Sequence, residues 1–455
     1  MIKRLYYVKI AICLLIILLC RQDTMLFSQN LPLLPSPQQV VEREGFFNMN
    51  EFVPVFRRNN ASIEEQRAIW MLCEGFENIF GKPLKITDKA KGSIIVLRNL
   101  SLEMPPKKEE KMILPVGEEG YQLNILPDKI EIIANSNAGL FYGSQTLLQL
   151  FRTSSLTGNI NCMTINDMPS SSQRYLYYHW DFDRAPSFNY IKQLILCASH
   201  FKFNGIALLN DASDAPFAEM ELFFLRKFAE AYHVGIITDA EGFSGEQIKN
   251  NNNAMFFMDN WYSIFWSAEL SWNELKNSTL TLTQQRQAQY EKALDRQLFE
   301  VDFSLCEQLK SFDSLRIISL TEEDFWRSVH TDGVSVVHSP ADNRFVLTRA
   351  LALEDRWQLL LESTPIMHDE ILYYMIFAAQ RAGFIALKNL LQESLSQQSS
   401  EQQTVQETVK ILLENIRHLQ KAHEALWNIE TDAGFPAAIT QQYEQMIFEL
   451  QSLEL

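Results

Sequence analysis

Cysteine is scarce in this sequence, and no two cysteines are closely spaced. Two of the six lie within the first twenty residues, and the others, Cys73, Cys162, Cys197 and Cys306, are far apart. A zinc site is not expected, because structural zinc sites use closely spaced cysteine and histidine ligands. A single disulfide among them is the alternative in an oxidising compartment, but we expect these four to be small buried residues.

Positive charge is also in the minority. Lysine and arginine number 40 against 56 acidic residues, which gives a net charge of −16. Nucleic acid is therefore not expected as a partner, because phosphate binding needs a basic patch. The sequence has no His-Glu-x-x-His, no glycine-rich phosphate loop and no Gly-x-Ser-x-Gly. We expect no metal and no cofactor.

The chain has no apolar run long enough to cross a bilayer, which takes roughly twenty residues. Ile10–Cys20 is short and follows a basic start at residues 3–9. This order is typical of a secretory signal peptide, which we place at residues 1–29. The protein is expected to be exported to the periplasm or beyond, with no membrane span in its mature form. A lipid anchor through Cys20 is the alternative.

Three regions differ in their patterning. Residues 30–168 are mixed α+β, with a hairpin at "GYQLNILPDKIEIIA" and helices at "SIEEQRAIWMLCEGFENIF" and "NAGLFYGSQTLLQLF". Residues 169–290 then alternate strand and helix from "YLYYHWDF" to "VGIITDAEG", which predicts a short parallel α/β region. Residues 291–455 are helical. One helix there carries a stripe of Leu412, Ile416, Leu419, His423 and Leu426, and an antiparallel helix pair is expected at the C-terminal end.

Three stretches together resemble glycoside hydrolase family 20, the β-N-acetylhexosaminidases. "EGYQLNILPDKIEIIANSNAGLFYGSQTLLQL" is similar to the family's small α+β domain, and "AELSWN" to its last barrel helix. "INDMPSSSQRYLYYHWDFDR" resembles the start of its barrel, where Asp167, Pro169 and Arg174 keep the family's spacing. Asp181 and Arg184 resemble the family's following Asp-x-x-Arg, displaced by two residues. The helical C-terminal region also resembles glycoside hydrolase family 84, the O-GlcNAcase-like enzymes.

The resemblance implies a partner, GlcNAc-containing glycans, and a mechanism, substrate-assisted hydrolysis. In family 20 an adjacent Asp-Glu pair ends the fourth barrel strand. The only such dipeptide here is Asp369–Glu370, far beyond the barrel-like region, where we expect it to begin a helix. A full barrel takes roughly 250 residues, but Ser172 to Trp272 is only about 100 residues. The barrel is therefore expected to be partial, without strands four to seven, and catalysis to be impaired.

Acidic residues follow the second and third predicted strands of this region. In "FNGIALLNDASDAPF", Asn204 matches the family, but Ala207 and Leu209 replace two expected histidines. Asp211 and Asp214 flank the position of an expected aspartate. They are candidate sugar contacts or, alternatively, surface acids.

The third strand supplies the only candidate catalytic carboxylates, Asp239 and Glu241, which match a family Glu-x-Asp with the acids exchanged. The alternative interpretation is that both acids lie in a solvated loop without a catalytic role. Arg174 is the main candidate for binding sugar hydroxyls, against the alternative of a structural ion pair. Trp266 could stack on a sugar face, and so could Trp180 and Trp261, unless they pack in the core.

Three functional hypotheses remain. The first is an exported hexosaminidase-like pseudoenzyme that lacks the catalytic pair and is inactive or only binds sugar. The second is an active glycosidase that uses Asp239 and Glu241. The third is an interaction protein whose helical C-terminal half carries the function.

Overall fold

The structure is a computed structural model. It describes residues 31–49, 54–57, 61–89, 94–100, 117–180, 184–209, 217–238, 256, 261–273, 280–299, 306, 322–330, 339–363, 369–396 and 402–453. The chain divides into two compact units. The first comprises residues 1–171 and 272–289, and the second comprises residues 172–271 and 290–455.

A seven-stranded mixed sheet forms the centre of the first unit, in the order β1-β7-β5-β6-β4-β2-β3. Its strands are β1 (Gln39–Asn48), β2 (Pro54–Phe56), β3 (Lys85–Thr87), β4 (Ile94–Asn99), β5 (Tyr121–Leu126), β6 (Lys129–Ala134) and β7 (Asn159–Asp167). The hairpin prediction is confirmed, because β5 and β6 pair antiparallel around residues 127–128, with Leu126 opposite Lys129.

Two helices of this unit pack on each other and on the sheet: α1 (Ile63–Phe80) and α2 (Asn137–Thr153). The predicted capping box of α1 is present, with Ser62 and Glu65 each hydrogen-bonded to the other's backbone N–H. α2 lies close to the sheet because it presents glycines to it. A Cβ at Gly143 would stand 2.5 Å from Ile132 Cγ2.

A row of side-chain amides crosses the other face of the sheet. Asn166 donates to Gln39 at 3.2 Å and accepts from Gln122 at 2.8 Å. Gln122 in turn accepts from Asn124 at 2.9 Å, and Asn124 accepts from Thr164 at 3.0 Å. The row joins β1, β7 and β5 by side chains as well as by the backbone.

The second unit begins with a strand–helix–strand–helix–strand succession, as the sequence predicts. The elements are β8 (Tyr175–His179), α3 (Phe188–His200), β9 (Gly205–Leu209), α4 (Glu219–Ala231) and β10 (Gly235–Ile237). All pairings are parallel, in the order β10-β9-β8. In the part of the chain that the structure describes, this sheet has three strands, and a partial barrel beyond them stays a prediction.

Helices make up the described remainder. They are α5 (Trp261–Trp272), α6 (Leu280–Phe299), α7 (Glu322–Trp326), α8 (Pro340–Ser363), α9 (Asp369–Ser396), α10 (Gln402–Glu430) and α11 (Ala437–Gln451). The predicted stripe of α10 is buried throughout. α10 and α11 contact each other as expected, because His423 Nδ1 lies 3.1 Å from Tyr443 Oη. Trp427 Nε1 donates to the carbonyl of Ala433, in the connection between the two helices, at 3.0 Å.

A buried lysine joins α9 to the short helix α7. Lys388 Nζ donates to the carbonyl oxygens of Asp324, Phe325 and Arg327 at 2.7–3.0 Å. Burial, with a further contribution from the nearby Arg327, lowers the pKa of Lys388 to about 7. Three carbonyl acceptors compensate the ammonium for its lost hydration.

Cys73, Cys162, Cys197 and Cys306 are all free thiols, and two of them are buried. The alternative of a disulfide is therefore not formed among these four, and the expected burial holds for Cys162 and Cys306. Of the described helices, none is long and apolar enough to span a bilayer.

Candidate functional site

The carboxyl ends of β8, β9 and β10 lie on one edge of the parallel sheet, where α/β proteins commonly bind ligands. Backbone pairing continues past β8, because Trp180 N donates to the Leu209 carbonyl at 2.9 Å. The predicted residues Asp211, Asp214, Asp239 and Glu241 follow this edge in sequence but lie outside the described residues. Their roles stay predictions.

Arg174 lies at the opposite edge, just before β8. Its side chain is 1% exposed, and its Nε donates to the Lys202 carbonyl at 2.9 Å. Its backbone N–H donates to Asn204 Oδ1 at 2.9 Å, and Asn204 Nδ2 donates to the Ser172 carbonyl at 2.7 Å. The two residues matched to the family thus contact each other and fasten the start of β8 to the start of β9.

The distance between the two edges bears on the sugar-binding role predicted for Arg174. A strand rises about 3.3 Å per residue, so the five residues of β8 place the edges roughly 16 Å apart. Arg174 is thereby separated from the carboxyl ends of the three strands. The hydrogen bonds described for Arg174 join the starts of β8 and β9, and the sugar contact remains a prediction.

The three candidate tryptophans differ in exposure. Trp180 and Trp261 are 5% and 2% exposed and belong to the core. Trp266 on α5 is half-buried and meets the Tyr290 ring edge-on at a centroid distance of 4.7 Å. Of these three, Trp266 presents the most surface to a ligand.

Arg184, matched to the family's Asp-x-x-Arg, is held by the C-terminal helix α10. Its Nη2 lies 2.9 Å from Glu430 Oε2. The guanidinium lies over the rings of Phe256 and Trp427, at 4.5 and 5.0 Å from their centroids. The side chain of Glu430 is only 2% exposed, so this is a buried ion pair flanked by aromatic rings.

Glu430 also ties α10 to the beginning of α3. Its backbone carbonyl accepts from Ser187 N at 2.7 Å, and its Oε1 accepts from Tyr190 Oη at 3.4 Å. Burial and the Glu430 carboxylate raise the pKa of Tyr190 well above its ordinary value. Sequence reasoning missed Glu430, because it stands 246 residues from Arg184 and belongs to no motif.

His423 lies beside this cluster and is 2% exposed. Rings surround it, among them Phe256 at 5.5 Å and Phe435 at 5.1 Å between centroids. Burial, with the positive charges of Arg184 and Arg381, lowers its pKa to about 3. His423 is therefore neutral at physiological pH and serves the core, as its place in the stripe predicts.

In the first unit, two residues from separate motifs of the resemblance meet. Trp272 Nε1, from "AELSWN", donates to Asp167 Oδ1 at 2.9 Å. Tyr121 Oη donates to Asp167 Oδ2 at 2.6 Å, and Gln38 N donates to Oδ1 at 3.1 Å. Burial, followed by the Asp167 charge, raises the pKa of Tyr121 well above its ordinary value.

The same motif supplies two further hydrogen bonds within the first unit. Asn273 Nδ2 donates to the Ser36 carbonyl at 2.6 Å, and Ser170 N donates to the Trp272 carbonyl at 2.8 Å. The Trp272 ring meets Tyr142 edge-on at 5.4 Å. The described hydrogen bonds of Trp272 and Asn273 thus join this motif to Asp167, Ser170 and Ser36.

Two other predictions concern metal ligands and the Asp-Glu dipeptide. Among the described side chains, no group of three or more His, Cys, Asp or Glu is placed to hold a metal ion. The dipeptide begins α9 at Asp369, so the predicted helix start is confirmed.

Comparison with known proteins identifies the first domain. Residues 30–168 match the family model of glycosyl hydrolase family 20, domain 2. A beta-hexosaminidase of Porphyromonas gingivalis is 27% identical over 158 residues, which cover 32% of this chain and 18% of that protein. The resemblance to family 20 is thus confirmed for the N-terminal domain, and a relationship to family 84 stays a prediction.

Solved structures of hexosaminidases are similar to this chain only at a low level. An N-acetyl-beta-hexosaminidase of Streptomyces plicatus has a TM-score of 0.37 at 21% identity, covering 45% of this chain and 44% of that one. A beta-N-acetylhexosaminidase of Bacteroides fragilis has a TM-score of 0.35 at 16% identity, covering 44% and 43%. The chain therefore matches less than half of these structures and about a fifth of the curated relative.

Proposed function

We propose that this chain is an exported, hexosaminidase-like protein that lacks the acid pair of its relatives. It binds GlcNAc-containing glycans without hydrolysing them. The match of residues 30–168 to the family's second domain supports the family. The name of the Porphyromonas gingivalis relative supports the class of glycan.

The observation that carries the loss of catalysis is the short parallel sheet. Three strands are described between residues 172 and 271, whereas the family's pair ends a fourth strand. The dipeptide that could replace this pair begins α9 instead. A general acid also needs a raised pKa and a fixed position beside the glycosidic oxygen, whereas Asp369 and Glu370 lie about a hundred residues beyond the segment that resembles the last barrel helix.

The anchoring of Arg184 supports the same proposal. The Asp-x-x-Arg that Arg184 resembles follows the start of the family's barrel. Here the charge of Arg184 is neutralised by Glu430 from α10, and its faces are covered by Phe256 and Trp427. A guanidinium held in this way has little freedom to exchange its partner for a substrate.

The alternative is a glycosidase that uses Asp239 and Glu241. It predicts turnover of an aryl β-N-acetylglucosaminide that Glu241→Gln abolishes. The proposed function predicts that neither Glu241→Gln nor Asp239→Asn changes the background rate.

Glycan binding is tested directly by titrating GlcNAc oligosaccharides into the full chain in a calorimeter. We expect saturable binding that Trp266→Ala weakens at least tenfold, because a partly exposed indole offers a flat apolar face to a sugar ring. Trp70→Ala is the matched control, since Trp70 is 72% exposed and lies in the first unit. No binding at millimolar sugar would refute the proposal and favour an interaction protein.

A further inference from the structure

Helix α4 has apolar residues on two opposite sides. Leu222, Leu225 and Ala229 are at most 8% exposed and face the core. Met220, Phe223 and Phe224 are 66%, 52% and 56% exposed. Residues spaced by three and four share one helix face, so the second set forms one continuous apolar stripe, hereafter the α4 stripe.

Single exposed apolar residues are ordinary, but a cluster of large ones marks a contact surface. The rings of Phe223 and Phe224 touch each other at a centroid distance of 5.7 Å, in an edge-on arrangement. This contact leaves most of both side chains in solvent. The α4 stripe therefore stays open to a further partner.

The acidic and basic residues beside the α4 stripe lie in different parts of the helix. Glu219 and Glu221 stand in the first turn, whereas Arg226 and Lys227 stand near the other end, and all four are exposed. A second copy of α4 running antiparallel would place its bases against these acids. A parallel copy would oppose like charges, which is unfavourable.

We infer that the α4 stripe is a self-association surface, on which a second copy of this chain docks with its own α4 antiparallel. A two-fold axis beside Phe223 and Phe224 stacks these four rings in the centre, and an isologous contact of this kind closes as a dimer. Met220 then meets the aliphatic stem of Lys227 of the other copy. Glu219 faces the other copy's Arg226.

The contacts that these charged residues already make within the chain are weak and compete little with the proposed pairs across the dimer. Lys227 pairs with Glu230 at 2.7 Å, but both side chains are at least 60% exposed, and such surface pairs contribute little. Arg226 reaches Thr238 Oγ1 at 3.4 Å in an exposed contact. Glu221 bonds the backbone N–H of Ala218 at 3.1 Å, so Glu219 is the better residue for a test.

The expected dimer is weak. A standard stable interface buries about 800 Å² per partner, which is more than three side chains of this size provide. Association is therefore expected to depend on concentration and, since it uses charge pairs, to weaken with added salt.

Sedimentation velocity of the full chain over a hundredfold concentration range tests the inference. We expect a monomer–dimer equilibrium that Phe224→Ser shifts at least tenfold toward monomer. Phe448→Ser is the matched control, because Phe448 is 72% exposed on α11. Circular dichroism confirms that each variant is folded.

A charge exchange tests the antiparallel arrangement itself. Glu219→Arg and Arg226→Glu each oppose like charges across the two-fold axis and are expected to weaken the dimer. The double variant restores both pairs and recovers the wild-type equilibrium. A chain that is monomeric throughout, a dimer indifferent to Phe224→Ser, or a double variant no better than either single one would overturn the inference.

Discussion

Asp167 shows how single side chains hold the first unit together. Its carboxylate accepts hydrogen bonds from Tyr121, Trp272 and Gln38 while only 1% of the residue is exposed. A buried carboxylate is tolerated because three donors replace its hydration. The motif containing Asp167 and the motif containing Trp272 are thus two halves of one structural contact.

Removing one donor should destabilise the fold. Trp272→Phe removes one of the described donors to Asp167 and puts a smaller ring beside it, and we expect a loss of about 2–3 kcal/mol in the free energy of unfolding. Urea titration followed by circular dichroism measures it. Trp70→Phe, at a 72% exposed site, should change stability by less than about 0.5 kcal/mol. Equal effects of the two substitutions would contradict this role of Trp272.

His423 gives the fold a predictable response to acid. Its pKa falls from 6.5 to about 3 in the folded protein, chiefly through burial and then through Arg184 and Arg381. The unfolded chain therefore takes up the proton at a higher pH than the folded one. Stability should fall as the pH drops through 6.5, by about 2 kcal/mol between pH 7 and pH 5.

The variant His423→Gln isolates this contribution. Urea midpoints of the wild type and the variant are compared at intervals between pH 7 and pH 5. The wild type should lose stability more steeply than the variant, because glutamine takes up no proton. Parallel pH profiles would show that His423 is not the group responsible.

The residues that the sequence predicted well are those with a local signal. The buried stripe of α10 and the capping box at Ser62 depend on spacings of three and four, which any helix imposes. The Arg184–Glu430 pair depends on two segments 246 residues apart meeting in space, and no local spacing encodes it. The contacts of Arg174 with Lys202 and Asn204 also follow from tertiary structure, and its sugar-binding role stays a prediction.

At the scale of elements, α2 and the sheet are fitted to each other by glycine. A Cβ at Gly143 would also stand 3.1 Å from Tyr121 Cδ2. The hydrophobic run of the helix was apparent from the sequence. The need for glycine was not, because it depends on the distance between α2 and β5–β6.

Two glycine-to-alanine substitutions should therefore act in opposite directions. Gly143→Ala forces a methyl group against Ile132, which should cost about 1–3 kcal/mol beyond the gain in helix propensity. Gly383→Ala on α9 meets its nearest neighbour, Ala350 Cβ, at 3.6 Å. It should therefore stabilise by about 0.5–1 kcal/mol. Denaturant midpoints decide the signs, and a stabilising Gly143→Ala would contradict the close approach of α2.

The hairpin and the strand–helix succession of the second unit were predicted because their pairings are local. The strands β1 and β7 were not predicted, although they form a long antiparallel pair. Most of β1 is exposed at the edge of the sheet and carries charged residues, so its side chains do not alternate. β7 is buried on both faces over its central residues, which removes alternation for the opposite reason.

At the scale of the whole molecule, the family match covers only the first part of the chain. The family match ends at residue 168. The second unit then combines three parallel strands with the C-terminal helices, and Arg184 and Ser187 are bonded to α10. Length alone predicted that a full barrel does not fit. The sequence did not predict the hydrogen bonds that join Arg184 and Ser187 to α10.

The measurement that tests the proposed loss of catalysis most directly is turnover of an aryl β-N-acetylglucosaminide by the full chain. The Streptomyces plicatus enzyme serves as the positive control at equal concentration. The proposed function predicts release of the aryl group at the rate of buffer alone, unchanged by Asp239→Asn or Glu241→Gln. Saturable turnover by the wild type that either substitution removes would contradict it.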